Sequence, residues 1–157
     1  MEELVKMIDE KLEYVRHEIK EDRIKIYVKS RRTEAECPFC GEVSKKVHSI
    51  YERKFQDLPI GGKKVEIVIA NRKYFCCNPE CSNTTFAEMF ECLPYNARRS
   101  KRLTEEIIRV STEISSVRAS TLLRKSVANV GKSTICELLK KSKSRNGQRI
   151  NKKSVYR

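Results

Sequence analysis

Two short-spaced cysteine pairs constrain this chain more than any other feature. Cys37-Pro38-Phe39-Cys40-Gly41 is a C-x2-C-G unit, and after thirty-five intervening residues comes Cys76-Cys77-Asn78-Pro79-Glu80-Cys81. Tight turns at two hairpin tips, each aiming a pair of thiolates at one point, are what a tetrahedral four-sulfur zinc site needs. Gly41 lets the backbone reverse just past the second sulfur. Cys37, Cys40, Cys76 and Cys81 are the expected ligands, although Cys77 can replace Cys76, since either spacing to Cys81 is geometrically feasible. His48 is an alternative ligand but reads more simply as a structural histidine. Four protein ligands leave no open position, so one structural zinc, and not a catalytic one, is expected. The seven cysteines are an odd number, and the acidic start Met1-Glu2-Glu3 is unlike a signal peptide, which argues against a secreted disulfide scaffold. Cys92 and Cys136 have no short-spaced partner and read as small, partly buried apolar residues.

Around this core the hydrophobic pattern predicts an α+β chain. Leu4, Val5, Ile8, Leu12, Val15 and Ile19 recur at steps of three and four and predict an amphipathic helix over about 2–18. Ile24, Ile26 and Val28 alternate as in a strand. Between the cysteine pairs, Pro59 with Gly61-Gly62 marks a turn, Val65, Ile67 and Ile69 alternate in a strand, and Asn71 allows a tight reversal. Pro94 looks like a boundary. Beyond it, Leu103, Ile107, Val110 and Ile114 form one helical stripe, Ser115-Ser116 can cap a second helix, and a third runs from about Lys132 to Lys141. Asn129 can supply a left-handed residue in the last connection. The expected organisation is an N-terminal amphipathic helix (1–23), a small β-rich zinc ribbon (24–93), a three-helix unit of helix-turn-helix outline (94–141) and a basic linker or tail (142–157).

Charge then selects a partner. Residues 1–36 hold nine Lys/Arg against ten Asp/Glu, residues 37–92 eight against seven, and residues 93–157 seventeen against four. The whole net charge of +13 therefore sits in the last 65 residues, where a polyanion, most commonly nucleic acid, is the natural partner. Arg98, Arg99, Lys101 and Arg102 precede or open the first of these helices and are expected to contact phosphates. On the third helix, Ser133, Glu137 and Lys140 lie opposite the Ile135/Leu138/Leu139 stripe, with Lys132, Cys136 and Lys141 on the flanks; Lys132, Ser133, Glu137, Lys140 and Lys141 are the expected DNA-facing set. Gly131-Lys132-Ser133 is not a P-loop, because Ser126 stands where the motif needs a glycine. The longest apolar run, Val65 to Ala70, is interrupted by Glu66 and is far too short to span a membrane.

The order Cys37-Pro-Phe-Cys-Gly, His48, Tyr51, Arg53, Asp57-Leu58-Pro59, Gly61, Arg72, Phe75-Cys76, Asn78-Pro79-x-Cys81 and Phe86-Ala87-Glu88 closely resembles the N-terminal zinc-finger region of one group of bacterial insertion-sequence transposases. Leu122-Leu123 and Val130-Gly131-Lys132-Ser133-Thr134-Ile135 look like that group's helix-turn-helix. The resemblance covers about 24–141 and places the third ligand at Cys76. It implies double-stranded DNA at the element's terminal inverted repeats as partner, with a second copy or the full-length transposase as a further one. It implies neither a membrane nor a small-molecule substrate, and a cytoplasmic, nucleoid-associated bacterial protein. Such transposases continue into a ribonuclease-H-like domain whose Asp-Asp-Glu triad holds two metal ions. Here the only Asp residues are Asp9, Asp22 and Asp57, and no carboxylate side chain follows Glu137, so no enzyme activity is expected and the chain reads as truncated before the catalytic domain. The rival reading is a zinc-ribbon module that pairs protein chains, with a non-specific basic tail.

Overall fold

The computed structural model describes residues 1–153, with side chains through Ser144. It is a mixed α+β fold: a five-stranded sheet, a two-stranded hairpin and four helices. Helix α1 spans Glu2–Ile8, followed by β1 (Leu12–Ile19), β2 (Arg23–Ser30), β3 (Ala35–Glu36), β4 (Val43–Ser44), β5 (Val47–Ile60), β6 (Lys63–Phe75) and β7 (Thr85–Ala87). Helices α2 (Lys101–Glu113), α3 (Ser116–Ser126) and α4 (Lys132–Lys153) complete it. No helix among the described residues is long and apolar enough to cross a membrane.

The long β5–β6 hairpin is the spine. It turns at Gly61-Gly62, whose φ angles of 57° and 75° lie in the left-handed region that two-residue hairpin turns demand. A register shift between Asp57 and Ile60 accommodates Pro59, which has no N–H for the ladder. Along the other edge of β6, β2 pairs in parallel with residues 64–70, and β7 pairs antiparallel with residues 73–75. β1 closes the order β1-β2-β6-β5. Parallel register sets Ile24, Ile26 and Val28 opposite Val65, Ile67 and Ile69 on one face. Phe55, Leu12, Val5, Phe90 and Leu93 bury that face into a single apolar cluster. The opposite face is more polar, with Lys25 paired to Glu66 and the Arg16 guanidinium 3.5 Å from the centre of the Tyr27 ring, though Val68 is buried there.

The N-terminal helix is much shorter than its apolar spacing predicts. Asp9 takes an extended conformation at the C-cap of α1. Its carboxylate accepts N–H bonds from Lys11 (3.0 Å), Glu91 (3.0 Å) and Cys92 (3.3 Å), so the chain leaves the helix where these amides need an acceptor. Residues 12–19 then form β1. Leu12 is buried, whereas Val15 and Ile19 are exposed, so the last members of the helical stripe face water. Leu4, Val5, Ile8 and Leu12 suit both readings, and pairing with β2 decides between them. Residues 1–23 are thus a helix and an added strand of the main sheet, and not one helix.

Three further expectations change. Asn71 is no reversal: it lies inside β6, fully buried, and its side-chain amide donates to the Tyr51 hydroxyl (2.7 Å). Asn129 lacks a positive φ; that conformation falls to Asn96 (φ 54°) among the described non-glycine residues. The α4 backbone continues twelve residues past Lys141, to Lys153. Low apolar content does not stop it, because Lys, Arg and Gln are good helix formers and no proline interrupts. Residues 154–157 of the expected tail lie outside the described residues.

A second cluster holds the three-helix unit together: Leu103, Ile107, Ala119, Leu123, Ala128, Val130 and Ile135, with Leu58 of β5 packed against it. Ser100 caps α2 by accepting the Leu103 N–H (3.1 Å), and Ser115 caps α3 by accepting from Arg118. One buried side chain joins this unit to the sheet. Asp57 (1% exposed) accepts from Ser100 Oγ (2.6 Å) and Arg102 Nε (2.8 Å), and pairs again with the second arm of the guanidinium. Residues 98–100 run alongside β5, with the Gln56 N–H donating to the Arg98 carbonyl (3.0 Å) and the Ser100 N–H to that of Gln56 (2.9 Å). Arg102→Ala strands a buried carboxylate and should cost about 3 kcal/mol. Asp57→Ala leaves a guanidinium that water can reach and should cost about 1 kcal/mol. Urea unfolding of the zinc-loaded protein measures both; equal losses would contradict this account of the joint.

Candidate metal centre and nucleic-acid interface

The β3–β4 hairpin presents the first cysteine pair. The Cys37 N–H donates to the Glu42 carbonyl (2.9 Å), the Gly41 N–H donates to that of Cys37 (2.8 Å), and Gly41 takes φ +80°. The nearest atom to a Cβ there would be 3.7 Å away, so φ and not crowding calls for glycine. The second pair leaves the end of β6. The Cys76 N–H bonds to the Thr84 carbonyl (2.9 Å), the Cys81 N–H to that of Asn78 (3.2 Å), and the Asn78 side chain accepts from the Glu80 N–H (2.9 Å).

These turns bring the sulfurs of Cys37, Cys40, Cys76 and Cys81 within 4.8 Å of one another. Cys37 and Cys81 are 4.0 Å apart, Cys40 and Cys76 3.5 Å. A tetrahedral zinc with Zn–S of about 2.3 Å needs sulfurs about 3.8 Å apart, so the cluster has the right size. Each of three sulfurs also receives a backbone N–H from two residues further on: Glu42 for Cys40, Asn78 for Cys76 and Asn83 for Cys81. Those donors favour thiolates. The Glu42 amide brings Cys40 down to about 7. At Cys76 the Asn78 amide pulls the same way, but burial and the crowded sulfurs outweigh it and push that thiol up to about 12. Four adjacent sulfurs cannot all carry charge alone, and a divalent cation would resolve the conflict.

Ala35, Tyr74 and Phe86 pack around Cys37, with the Tyr74 and Phe86 rings stacked at 5.8 Å, and Cys76 and Cys81 lie against them. Cys77 points elsewhere: it is exposed, with its sulfur 3.5 Å from Ser44 Oγ. His48 is also outside the cluster, edge-on to Phe75 and bonded to Ser49 Oγ (2.9 Å).

The basic candidates fall into two groups. Lys132, Ser133, Glu137, Lys140 and Lys141 are exposed on α4, while Ile135 is fully buried and Leu138 and Leu139 are half-buried on its inner side. The 127–131 turn that aims α4 is tied down: the Val130 carbonyl accepts from Ser120 Oγ (2.9 Å) and Arg124 Nε (3.1 Å). Asn129 holds it to the β5–β6 hairpin through the Gln56 side chain (3.1 Å) and Lys64 (3.2 Å). Arg98 and Lys101 are exposed, and Arg99 is partly buried, its guanidinium pushed below its usual value by burial and by Arg98 beside it. Arg102, grouped by sequence with the phosphate contacts, is instead committed to Asp57. Sequence reasoning quoted Asp57 and Glu88 only within the family pattern and gave them no role; Glu88 is buried, accepts from Ser30, and its carboxyl is pushed up by burial. Neither pairing carries a local signal, because the partners lie more than 40 residues away.

The fold and the converging sulfurs define a zinc-ribbon-type centre, consistent with one structural zinc. Residues 33–81 match the zinc-finger of transposase IS204/IS1001/IS1096/IS1165, which covers both cysteine pairs and supports a transposase zinc-finger region here. No curated protein and no solved structure matches the chain.

Zinc contributes roughly 10–16 kcal/mol to such small centres, but the main sheet and the three helices have apolar clusters of their own. Chelation should therefore abolish amide protection over residues 33–46 and 74–87 and spare β1, β2 and α2, as read by hydrogen exchange. A global collapse would contradict the separation of cores. Elemental analysis should find one zinc per chain, retained by Cys77→Ser and lost by Cys76→Ser; the reverse would move the ligand by one residue.

Proposed function

We propose that this chain is the DNA-recognition portion of an insertion-sequence transposase, with α3, the 127–131 turn and α4 forming a helix-turn-helix that reads the element's terminal inverted repeats. The observation that carries this reading is the start of α4. Lys132, Ser133, Glu137, Lys140 and Lys141 are exposed there while Ile135 is locked into the core, the disposition a recognition helix needs in a major groove. The zinc-finger match over residues 33–81 supports the same reading from a different part of the chain.

In this reading Arg98 and Lys101 grip phosphates, and Arg102 positions α2 through Asp57. The zinc is structural and performs no chemistry. No strand-cutting role is assigned to the three aspartates, each of which is already occupied. Asp9 accepts backbone amides, Asp22 pairs with Arg23, and Asp57 pairs with Arg102. Double-stranded DNA is the partner, and a second copy or a full-length transposase would join at the element's paired ends, on the bacterial nucleoid.

Removing a phosphate contact and removing a base contact should have separable effects. Arg98→Ala or Lys101→Ala should weaken binding to all duplexes alike and lower the salt slope by about one. Glu137 is the sharper probe, because a carboxylate near phosphates is unfavourable unless a base such as cytosine donates to it. Glu137→Ala should reduce discrimination between the element end and scrambled duplex by about 1–3 kcal/mol, with general affinity equal or higher. Binding to both duplexes at two salt concentrations distinguishes these outcomes. If both kinds of variant behave alike, α4 is not in the groove.

A further inference from the structure

Two hollows of about 480 and 290 Å3 adjoin beside β5 and β7 and share Tyr51, Ala87, Met89 and Tyr95, so they form one groove. The larger hollow begins at Phe39 on the zinc-site hairpin. The smaller ends at Arg98, where the chain turns toward α2. Three aromatic rings along it are open to solvent: Phe39 is 59% exposed, Tyr51 42% and Tyr95 67%. Lys73 lines the larger hollow, Lys54 and Arg98 the smaller, and no Asp or Glu lines either.

The rings are held in place before any ligand arrives. The Tyr51 hydroxyl is fixed by the buried Asn71 amide (2.7 Å). Arg53 donates to the carbonyls of Pro94 (2.9 Å) and Ala97 (3.1 Å), drawing the segment that carries Tyr95 and Arg98 against β5. Asn96, with φ 54°, makes the turn between them.

We propose that this groove is a second nucleic-acid site, one that takes a few nucleotides of single-stranded DNA. Unpaired bases stack on Phe39, Tyr51 and Tyr95 while Lys54, Lys73 and Arg98 follow the phosphates. Open aromatic faces interleaved with cations along a concave track are the general means of holding a single strand. A duplex hides its base faces except at its ends, so paired DNA gains nothing from these rings. A peptide partner would leave the uniformly cationic lining unexplained unless it were acidic, and it would have no need of three spaced rings. Arg98 belongs both to the groove and to the proposed phosphate contacts before α2. The groove therefore lies where a strand unpaired next to a bound duplex would run. The inference extends the DNA-binding reading but is tested with different DNA.

The test is fluorescence-anisotropy titration of the zinc-loaded full chain with labelled (dT)12 and, separately, with a 12-base-pair duplex. Tyr95→Ala and Phe39→Ala should each weaken (dT)12 binding about 5- to 100-fold and leave duplex affinity within about twofold, a contrast that loss of one stacking platform produces and loss of charge does not. Tyr95→Trp should restore binding, and Glu137→Ala should leave (dT)12 affinity unchanged. Zinc content and circular dichroism confirm that each variant is folded, and Tyr95 is far enough from the cysteines in sequence to serve if Phe39→Ala loses metal. Unchanged (dT)12 affinity in Tyr95→Ala, equal losses on both DNA forms, or no binding of (dT)12 by the unaltered chain would each overturn the proposal. An unaltered chain that binds (dT)12 but does not discriminate the element end from scrambled duplex would overturn the helix-turn-helix reading and leave this one standing.

Discussion

Four sulfurs meeting at one point are the constraint on which this end of the molecule depends. β3 and β4 are two residues each, far too short to hold a hairpin in water unaided. β7 has three. They persist in this arrangement because the turns they flank converge, and the backbone amides of Glu42, Asn78 and Asn83 are already aimed at the sulfurs. A cation there ties residue 37 to residue 81 and thereby fixes where β7 lies against β6. It also fixes where the chain re-enters the sheet's apolar face through Phe90 and Leu93.

The rest of the fold joins that centre through β6 and β5 and holds on apolar clusters of its own. β6 takes part in every pairing of the main sheet except β1 with β2, with β5 along one edge and β2 and β7 along the other. β5 in turn carries the joint to the helices, because Asp57 takes Ser100 and Arg102 while Gln56 receives both the 98–100 segment and the turn before α4. The proposed DNA-facing helix is thus aimed by hydrogen bonds from a strand that the zinc centre does not touch directly. A loosened metal site would disturb the far end of β5 first and α4 last.

Much of this was legible in the sequence wherever chemistry is local. The C-x2-C-G knuckle announces its own turn, the alternation at Ile24, Ile26 and Val28 marks a strand, and Ser115 marks a helix start by offering an oxygen to an orphan amide. Legibility fails where a distant partner decides. Residues 12–19 carry a helical spacing but become a strand because β2 offers a ladder and Asp9 is drawn to the amides of Glu91 and Cys92. Asn71 has the composition of a turn and is buried in β6 because Tyr51 waits across the hairpin. Arg102 sits in a basic run and is claimed by a carboxylate 45 residues earlier. The aromatic groove left no trace in the pattern, since Phe39, Tyr51 and Tyr95 come from three separate segments.

The claim on which the whole account turns is that the four cysteines form a closed, all-sulfur metal centre that organises structure and does no chemistry. X-ray absorption at the zinc edge of the purified chain tests it most directly. The account predicts a single shell of four sulfurs at about 2.3 Å with no lighter ligand. A nitrogen or oxygen in that shell, whether from His48 or from a water at an open position, would contradict it.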